Sequence, residues 1–202
     1  MSKGMDQEKL DQSNNANEED EDRSLGRKAL DWGITLGVPL ILALLIHAFV
    51  LEAFIVPTGS MLETIQLDDR VWSEKVSYRF RSPQKGEIVL FQNPTDKDVT
   101  LLKRVIATEG QTVDLVDGKV VVDGVELDEP YTNGKPSYPL DRQAEGVGSL
   151  SFPLVVPEGH LWLMGDNRTN SLDSRYYGPI PTSSVIARAF CTYWPLDHAR
   201  IL

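Results

Sequence analysis

Twenty uncharged, mostly apolar residues run without a break from Trp32 to Leu51. A helix needs about 20 such residues to cross a hydrocarbon core, whereas a cleavable secretory segment carries roughly 7 to 15. The sequence therefore predicts one transmembrane helix over residues 31–52, and it sets Pro57-Thr58-Gly59-Ser60-Met61 just where a span gives way to a globular domain. Arg23, Arg27 and Lys28 immediately precede the run, and basic residues beside a span stay on the cytoplasmic side. The expected topology is single-pass in the plasma (cytoplasmic) membrane, with the N-terminus cytoplasmic and the C-terminal domain on the extracytoplasmic face. Arg70, Lys75, Arg79 and Arg81 follow the run and pull against that orientation. Within the run, His47 reads as a helix-contact residue or a proton-handling group, and Pro39 as a kink or a silent residue.

Charge divides the chain. Of the formal −10, residues 1–22 hold eight acids and two lysines, a net of −6, leaving −4 for the rest. Residues 1–30 are expected to be an acidic, disordered cytoplasmic leader, because so few apolar groups cannot offset ordering entropy. No basic stripe with interleaved aromatics points to nucleic acid. Cys191 is the single cysteine, and His160 and His198 have no cysteine at a zinc-binding spacing, so neither a disulfide, a metal nor a cofactor is expected. Oligomeric state is not legible.

Beyond the span the pattern is of strands and turns. Residues 87–91 and 101–107 are short apolar runs rich in β-branched side chains, and 111–116 and 119–122 flank Asp117-Gly118, a two-residue hairpin signal. A second Asp-Gly, at 123 and 124, precedes residues 125–127, and further strands are expected over 161–164 and 185–194. The stretch 129–148, rich in Pro, Gly, Asn and charge, reads as an exposed excursion. The fold class is mainly β: an antiparallel catalytic core over 53–107 and 158–202, a smaller β cap-like insertion over 108–157, and the N-terminal helix.

Ser60 needs a base to become a nucleophile, and neither His160 nor His198 completes a serine-histidine-aspartate arrangement. Lys103 interrupts the apolar run Leu101-Leu102-Lys103-Arg104-Val105-Ile106, where strand alternation puts it on the face of Leu101 and Val105. A lysine so placed loses hydration chiefly in its charged form, and its neutral amine is then a competent base. Snorkelling of the ammonium from an edge strand is the other reading of the same run. A third cluster, from Gly165 to Arg175, packs hydroxyl, amide and paired charged groups into one loop. It lacks the acidic spacing of a calcium loop and suits the orientation of other groups.

Taken in order, Pro57-Thr58-Gly59-Ser60-Met61, Leu67-Asp68-Asp69-Arg70-Val71, Lys103-Arg104-Val105-Ile106 and Gly165-Asp166-Asn167-Arg168 with Ser171, Asp173, Ser174 and Arg175 resemble the bacterial type I signal peptidases (leader peptidases), which are serine-lysine endopeptidases. The resemblance spans most of residues 30–202. It implies Ser60 as nucleophile, Lys103 as its base, Ser171 as a hydrogen-bond partner of the lysine amine, and the Ser60 N–H with the Thr58 hydroxyl as oxyanion hole. It further implies that Asp173 and Arg175, with Arg104 and Asp166, form a structural ion-pair group, and that Met61 lines the substrate pocket or else fills core. The implied reaction is two-step acyl transfer on exported preproteins after an Ala-x-Ala-like site, with the substrate added as a strand. Membrane lipid is the other expected partner, met by Phe54, Ile55, Val56, Leu62 and Ile65 unless these pack inward.

Two departures from the family pattern stand out. Glu63 occupies the place of a proline, which loosens the turn and adds charge near the pocket, and Ile106-Ala107-Thr108-Glu109-Gly110 lacks the usual Gly and Pro. Two rivals remain. A self-cleaving repressor relative would share the dyad but carry a DNA-binding module in place of the span, and a non-catalytic tethered β module that binds exported polypeptides would tolerate Glu63.

Overall fold

The computed structural model describes residues 32–44 and 50–202. Residues 32–44 form a helix, α1, with exposed apolar side chains such as Leu36, Leu40 and Leu44. Among the described residues no helix is long and apolar enough to cross a membrane. Residues 45–49 of the expected span, His47 included, and the acidic leader lie outside the described residues. The far end of the expected span is corrected: Leu51 and Glu52 belong to a strand, β1 (Leu51–Ile55), in register with Glu74 and Ser73 of β2 (Arg70–Glu74). Its cause is local, since Phe54 packs on a core cluster and Val56, just after the strand, is buried within it.

Phe49–Leu202 is one compact unit. Its larger sheet has eight strands in the order β1, β2, β11 (Val185–Trp194), β3 (Ile88–Asn93), β4 (Asp96–Thr108), β9 (His160–Met164), β10 (Ile180–Pro181), with β12 (Arg200–Ile201) also paired to β11. Every pairing is antiparallel. The central strand β3 shows why its sequence is a continuous apolar run: Ile88 and Leu90 enter one buried cluster while Val89 and Phe91 enter another on the opposite face. With both faces covered there is no polar side to alternate.

A second sheet of β7 (Val125–Glu126), β6 (Lys119–Val122), β5 (Thr112–Val116) and β8 (Leu154–Val155) is built within residues 108–157. The two-residue turn between β5 and β6 places Asp117 and Gly118 at φ 50° and 79°, and Asp123-Gly124 repeats the geometry at 53° and 79° between β6 and β7. Such turns match strand twist and require φ > 0 at both residues, which is why Asp-Gly forecasts them. Val113, Val120 and Val122 of this sheet share a core with Ile106, Ala107, Trp162 and Met164 of the larger one.

The stretch 129–148 is largely the exposed excursion its composition forecasts, with three buried exceptions. Thr132, Ser137 and Ala144 are buried in it, and Ala144 packs with Val89, Leu163 and Tyr177.

The chain's last residues close over the loop that follows Ser60. The Nδ1 atom of His198 lies 2.7 Å from Oδ1 of buried Asp69, whose Oδ2 accepts the Gln66 N–H at 2.8 Å, and Arg200 Nη2 donates to the Glu63 carbonyl at 2.9 Å. The hydrogen bond to Asp69 raises the His198 pKa above its usual 6.5. The added stability is therefore complete below about pH 6.5 and is lost as pH climbs through the folded value. His198→Gln is expected to lower the thermal unfolding midpoint more at pH 5.5 than at pH 9, as differential scanning fluorimetry at the two pH values would read.

Candidate active site

Ser60 sits in a single 3-10 turn, Gly59–Met61, and is buried. Two hydrogen bonds from Asn167 hold that turn from behind: its backbone N–H donates to the Ser60 carbonyl at 3.1 Å and its Nδ2 to the Gly59 carbonyl at 2.8 Å. The serine is thus fixed through its main chain, leaving the hydroxyl to other partners. Lys103 comes from β4, opposite Val89 of β3, and its Nζ lies 2.6 Å from Ser60 Oγ. The same amine donates to the Leu102 carbonyl at 2.9 Å.

Lys103 is 2% exposed, which decides between the two readings of its sequence position: the amine is buried against the serine and does not snorkel. Burial drives its pKa from the ordinary 10.5 down to about 8, against the opposing pull of Asp173 and Asp166. Desolvation wins because both carboxylates are already engaged. Arg104 meets Asp166 through Nε and Nη2 at 2.9 and 2.7 Å, and Arg175 meets Asp173 through Nε and Nη2 at 2.9 Å each. Each fork largely neutralises its carboxylate, so little field remains to favour an ammonium at Lys103.

These pairs also brace the loop 165–175. The Thr64 hydroxyl donates to Asp166 Oδ2, tying the chain after the serine to the same carboxylate. Asp173 caps the short helix α2 (Ser174–Tyr177) by accepting the Arg175 N–H at 3.2 Å, accepts the Gly165 N–H at 3.1 Å, and Ser174 Oγ accepts the Leu163 N–H at 2.9 Å. The ion-pair group expected around Asp173 and Arg175 is two separate bidentate pairs, with Arg104 on Asp166.

One expected role is not met, and another resolves to the second of its two readings. Ser171 is beside the site, but its Oγ is buried without a hydrogen-bond partner; the lysine amine turns to the Leu102 carbonyl instead. Met61 is fully buried in the cluster of Val56, Ile65, Leu90 and Leu102, so it packs as core and opens onto no pocket. Thr58 is exposed, with Oγ1 3.5 Å from Ser60 Oγ. Glu63 lies within 3.7 Å of Lys135 Nζ, so the charge that replaces the family proline has a cation beside it. Neither histidine approaches Ser60: His160 Nδ1 bonds the Glu158 carbonyl and His198 bonds Asp69. Among the described residues no cluster of His, Cys, Asp and Glu is arranged to hold a metal ion.

Sequence reasoning missed Asn167, which looked like an ordinary turn residue, and the partners of Arg168. Its guanidinium, wholly buried, is gripped by Glu129 and Ser137 from the 129–148 stretch. No periodicity or spacing announces such a contact, since 39 residues separate Glu129 from Arg168.

Gly165 is a glycine for lack of space. A Cβ there would collide with the Ser171 hydroxyl and the Ser60 carbonyl oxygen and would stand 2.7 Å from Ser171 Cβ. One of the atoms in the way belongs to the Ser60 main chain, so the turn must shift to admit a methyl group. Gly165→Ala is expected to destabilise the fold by about 1 to 3 kcal/mol, the usual cost of overpacking, as urea unfolding would show.

The family profile described as "Signal peptidase, peptidase S26" matches residues 29–194. Among curated proteins, a probable signal peptidase I-2 of Synechocystis sp. is 38% identical over 179 residues, covering 86% of this chain and 77% of its own length. A signal peptidase I of Leptolyngbya laminosa is 36% identical, with 81% of this chain and 79% of its own covered. A probable thylakoidal processing peptidase 2 of Arabidopsis thaliana is 37% identical over 76% of this chain but 41% of its own. Among solved structures, a signal peptidase I from Enterococcus faecalis is similar at 31% identity and a TM-score of 0.43, over 54% of this chain and 97% of that one. The profile spans the turn that bears Ser60, the strand that bears Lys103 and the loop that braces both, and the chain belongs to the signal peptidase family, peptidase S26.

Proposed function

We propose that the protein is a serine endopeptidase that removes signal peptides from exported preproteins, with Ser60 as nucleophile and Lys103 as general base. The observation that carries this reading is a buried amine, 2.6 Å from a serine hydroxyl, with its pKa brought down to about 8. In the first step the neutral Lys103 amine accepts the Ser60 proton as Oγ attacks the scissile carbonyl, giving a tetrahedral oxyanion. Donors for that oxyanion are the Ser60 N–H and the Thr58 hydroxyl, each worth about 3 to 4 kcal/mol where comparable donors have been removed. The lysine then returns the proton to the leaving amine, and a water activated by the same amine hydrolyses the acyl-enzyme.

Signal peptides end in a small-residue, Ala-x-Ala-like cleavage site, and such sites are the substrates this reading assigns to the protein. The 20-residue apolar run from Trp32 supports an N-terminal anchor that holds the catalytic domain at the extracytoplasmic face of the plasma membrane, where signal peptides emerge. Exposed Ile55, one residue before buried Val56, faces outward near the site and fits lipid contact. Asp166, Asp173, Arg104 and Arg175 act as positioning residues.

In detergent, the full chain is expected to cleave a preprotein bearing an Ala-x-Ala site, and Ser60→Ala and Lys103→Ala are each expected to abolish cleavage while leaving the circular dichroism spectrum unchanged. Cleavage surviving in either variant would remove that residue from the mechanism. Thr58→Val is expected to lower kcat about 100-fold with KM nearly constant, the size typical of one oxyanion donor.

The pH dependence follows from the amine. Below about pH 8 Lys103 is increasingly protonated, so kcat/KM should rise with unit slope towards pH 8 and level off above it, rather than near 10.5. Stability moves in the same direction: the unfolded chain holds the lysine proton up to about 10.5 and the folded chain only to about 8. The cost of burying the charge, about 3 kcal/mol, is full below pH 8 and fades as pH rises through that window. Lys103→Met should therefore stabilise the protein at pH 6 and lose that advantage at pH 10.5, measured by urea denaturation.

A further inference from the structure

The segment from Glu129 to Tyr138 has no part in the chemistry above, yet it touches three arginines that hold the serine and lysine in place. Glu129, its side chain 9% exposed, binds Arg168 through both carboxylate oxygens, at 2.6 and 2.7 Å. Ser137 Oγ accepts from the same guanidinium at 2.7 Å. The Tyr131 hydroxyl donates to Glu129 Oε1 at 2.8 Å, and the Arg104 guanidinium carbon lies 4.1 Å from the centre of the Tyr131 ring. The Tyr138 carbonyl accepts from Arg175 Nη1 at 3.2 Å.

Arg168 relays this hold to the nucleophile. Its Nε donates to the Gly165 carbonyl at 3.0 Å, its backbone N–H to the Asp166 carbonyl at 3.0 Å, and its own carbonyl accepts from Arg175 Nη2 at 2.7 Å. Its chain neighbour is Asn167, whose two hydrogen bonds grip Gly59 and Ser60. A guanidinium with no exposed surface is costly unless a carboxylate faces it, and the fork of Arg matches two oxygens in one geometry.

We infer that Glu129 is a positioning residue for the cleavage reaction: from outside the catalytic strands it fixes Arg168, and through Arg168 the loop that keeps Ser60 against Lys103 and water away from the amine. This rests on the serine-lysine reading above. Two physical effects of losing the Glu129 charge have opposite signs at Lys103. Removing a negative charge by itself disfavours the ammonium and lowers its pKa, whereas a slackened loop admits water and raises it.

The test uses the full chain in detergent, with the Lys103 amine titrated by NMR after 13C labelling of lysine, alongside kcat and KM on a preprotein. In Glu129→Gln the Lys103 midpoint should rise by about one pH unit as hydration returns. Its kcat should fall about 10- to 100-fold, the scale of a small misplacement of reacting groups. KM should change less than about twofold, since the substrate contacts are untouched. Arg168→Lys, which keeps the charge and loses the fork, should reproduce these changes, while Tyr131→Phe, which keeps the ring on Arg104, should cost less than about threefold in kcat. If Glu129→Gln does not fold, Ser137→Ala, which takes one acceptor from the same guanidinium, should move midpoint and kcat in the same directions by smaller amounts.

A folded Glu129→Gln with unaltered kcat and an unaltered or lowered Lys103 midpoint overturns the inference, even if its unfolding temperature drops. Should the unsubstituted chain cleave nothing, the serine-lysine reading fails, and the titration contrast alone still decides what Glu129 does.

Discussion

The 2.6 Å approach of a buried amine to a serine hydroxyl is the contact on which the remaining architecture depends. Water would destroy it, because a hydrated lysine holds its proton and offers no lone pair at neutral pH. The fold must therefore deliver a long polar side chain into a dry place and keep it there without a carboxylate partner. It does so by mounting Lys103 on a strand covered on both faces, with Leu102 in one buried cluster and Val105 in another. The energetic cost of leaving that amine without a counter-ion is moderate, and the surrounding apolar packing offsets it.

The carboxylates nearby illustrate how the site manages charge. Asp166 and Asp173 are each almost fully buried, and each could in principle have drawn a proton onto the lysine. Instead each is bound by a bidentate arginine, so the acids become structural ties whose pull on the amine is outweighed by its burial. The same ties draw together the turn after the nucleophile, through Thr64, and the loop that supports it from behind, through Gly165. Electrostatic neutrality and mechanical bracing are thus obtained from one set of side chains.

Much of this was legible in the sequence, for identifiable reasons. The hairpin at Asp117-Gly118 was readable because its backbone angles admit few residues. The strand at 101–107 was readable because burial on both faces leaves an apolar run, and Lys103 stood out as the exception within it. What escaped had no local signature. The strand β1 was hidden because Leu51 continues an apolar run whose periodicity does not record where helix gives way to sheet. Ser171 was given its role by resemblance alone, and its Oγ was left without a partner; of the two readings of Met61, packing chose the core. The grip of Glu129 on Arg168 spans 39 residues between two polar segments that each look solvated in isolation.

One strand, β4, contributes to all three buried clusters: Leu102 to the first, Val105 to the second, and Ile106 with Ala107 to the third. Lys103 sits between Leu102 and Val105 on this strand and is itself 2% exposed, so the packing of the strand is what keeps the amine dry. A half-made chain would hold a wet, protonated lysine beside an inert alcohol. Competence to cut is thereby a property of the packed domain and not of the two residues alone.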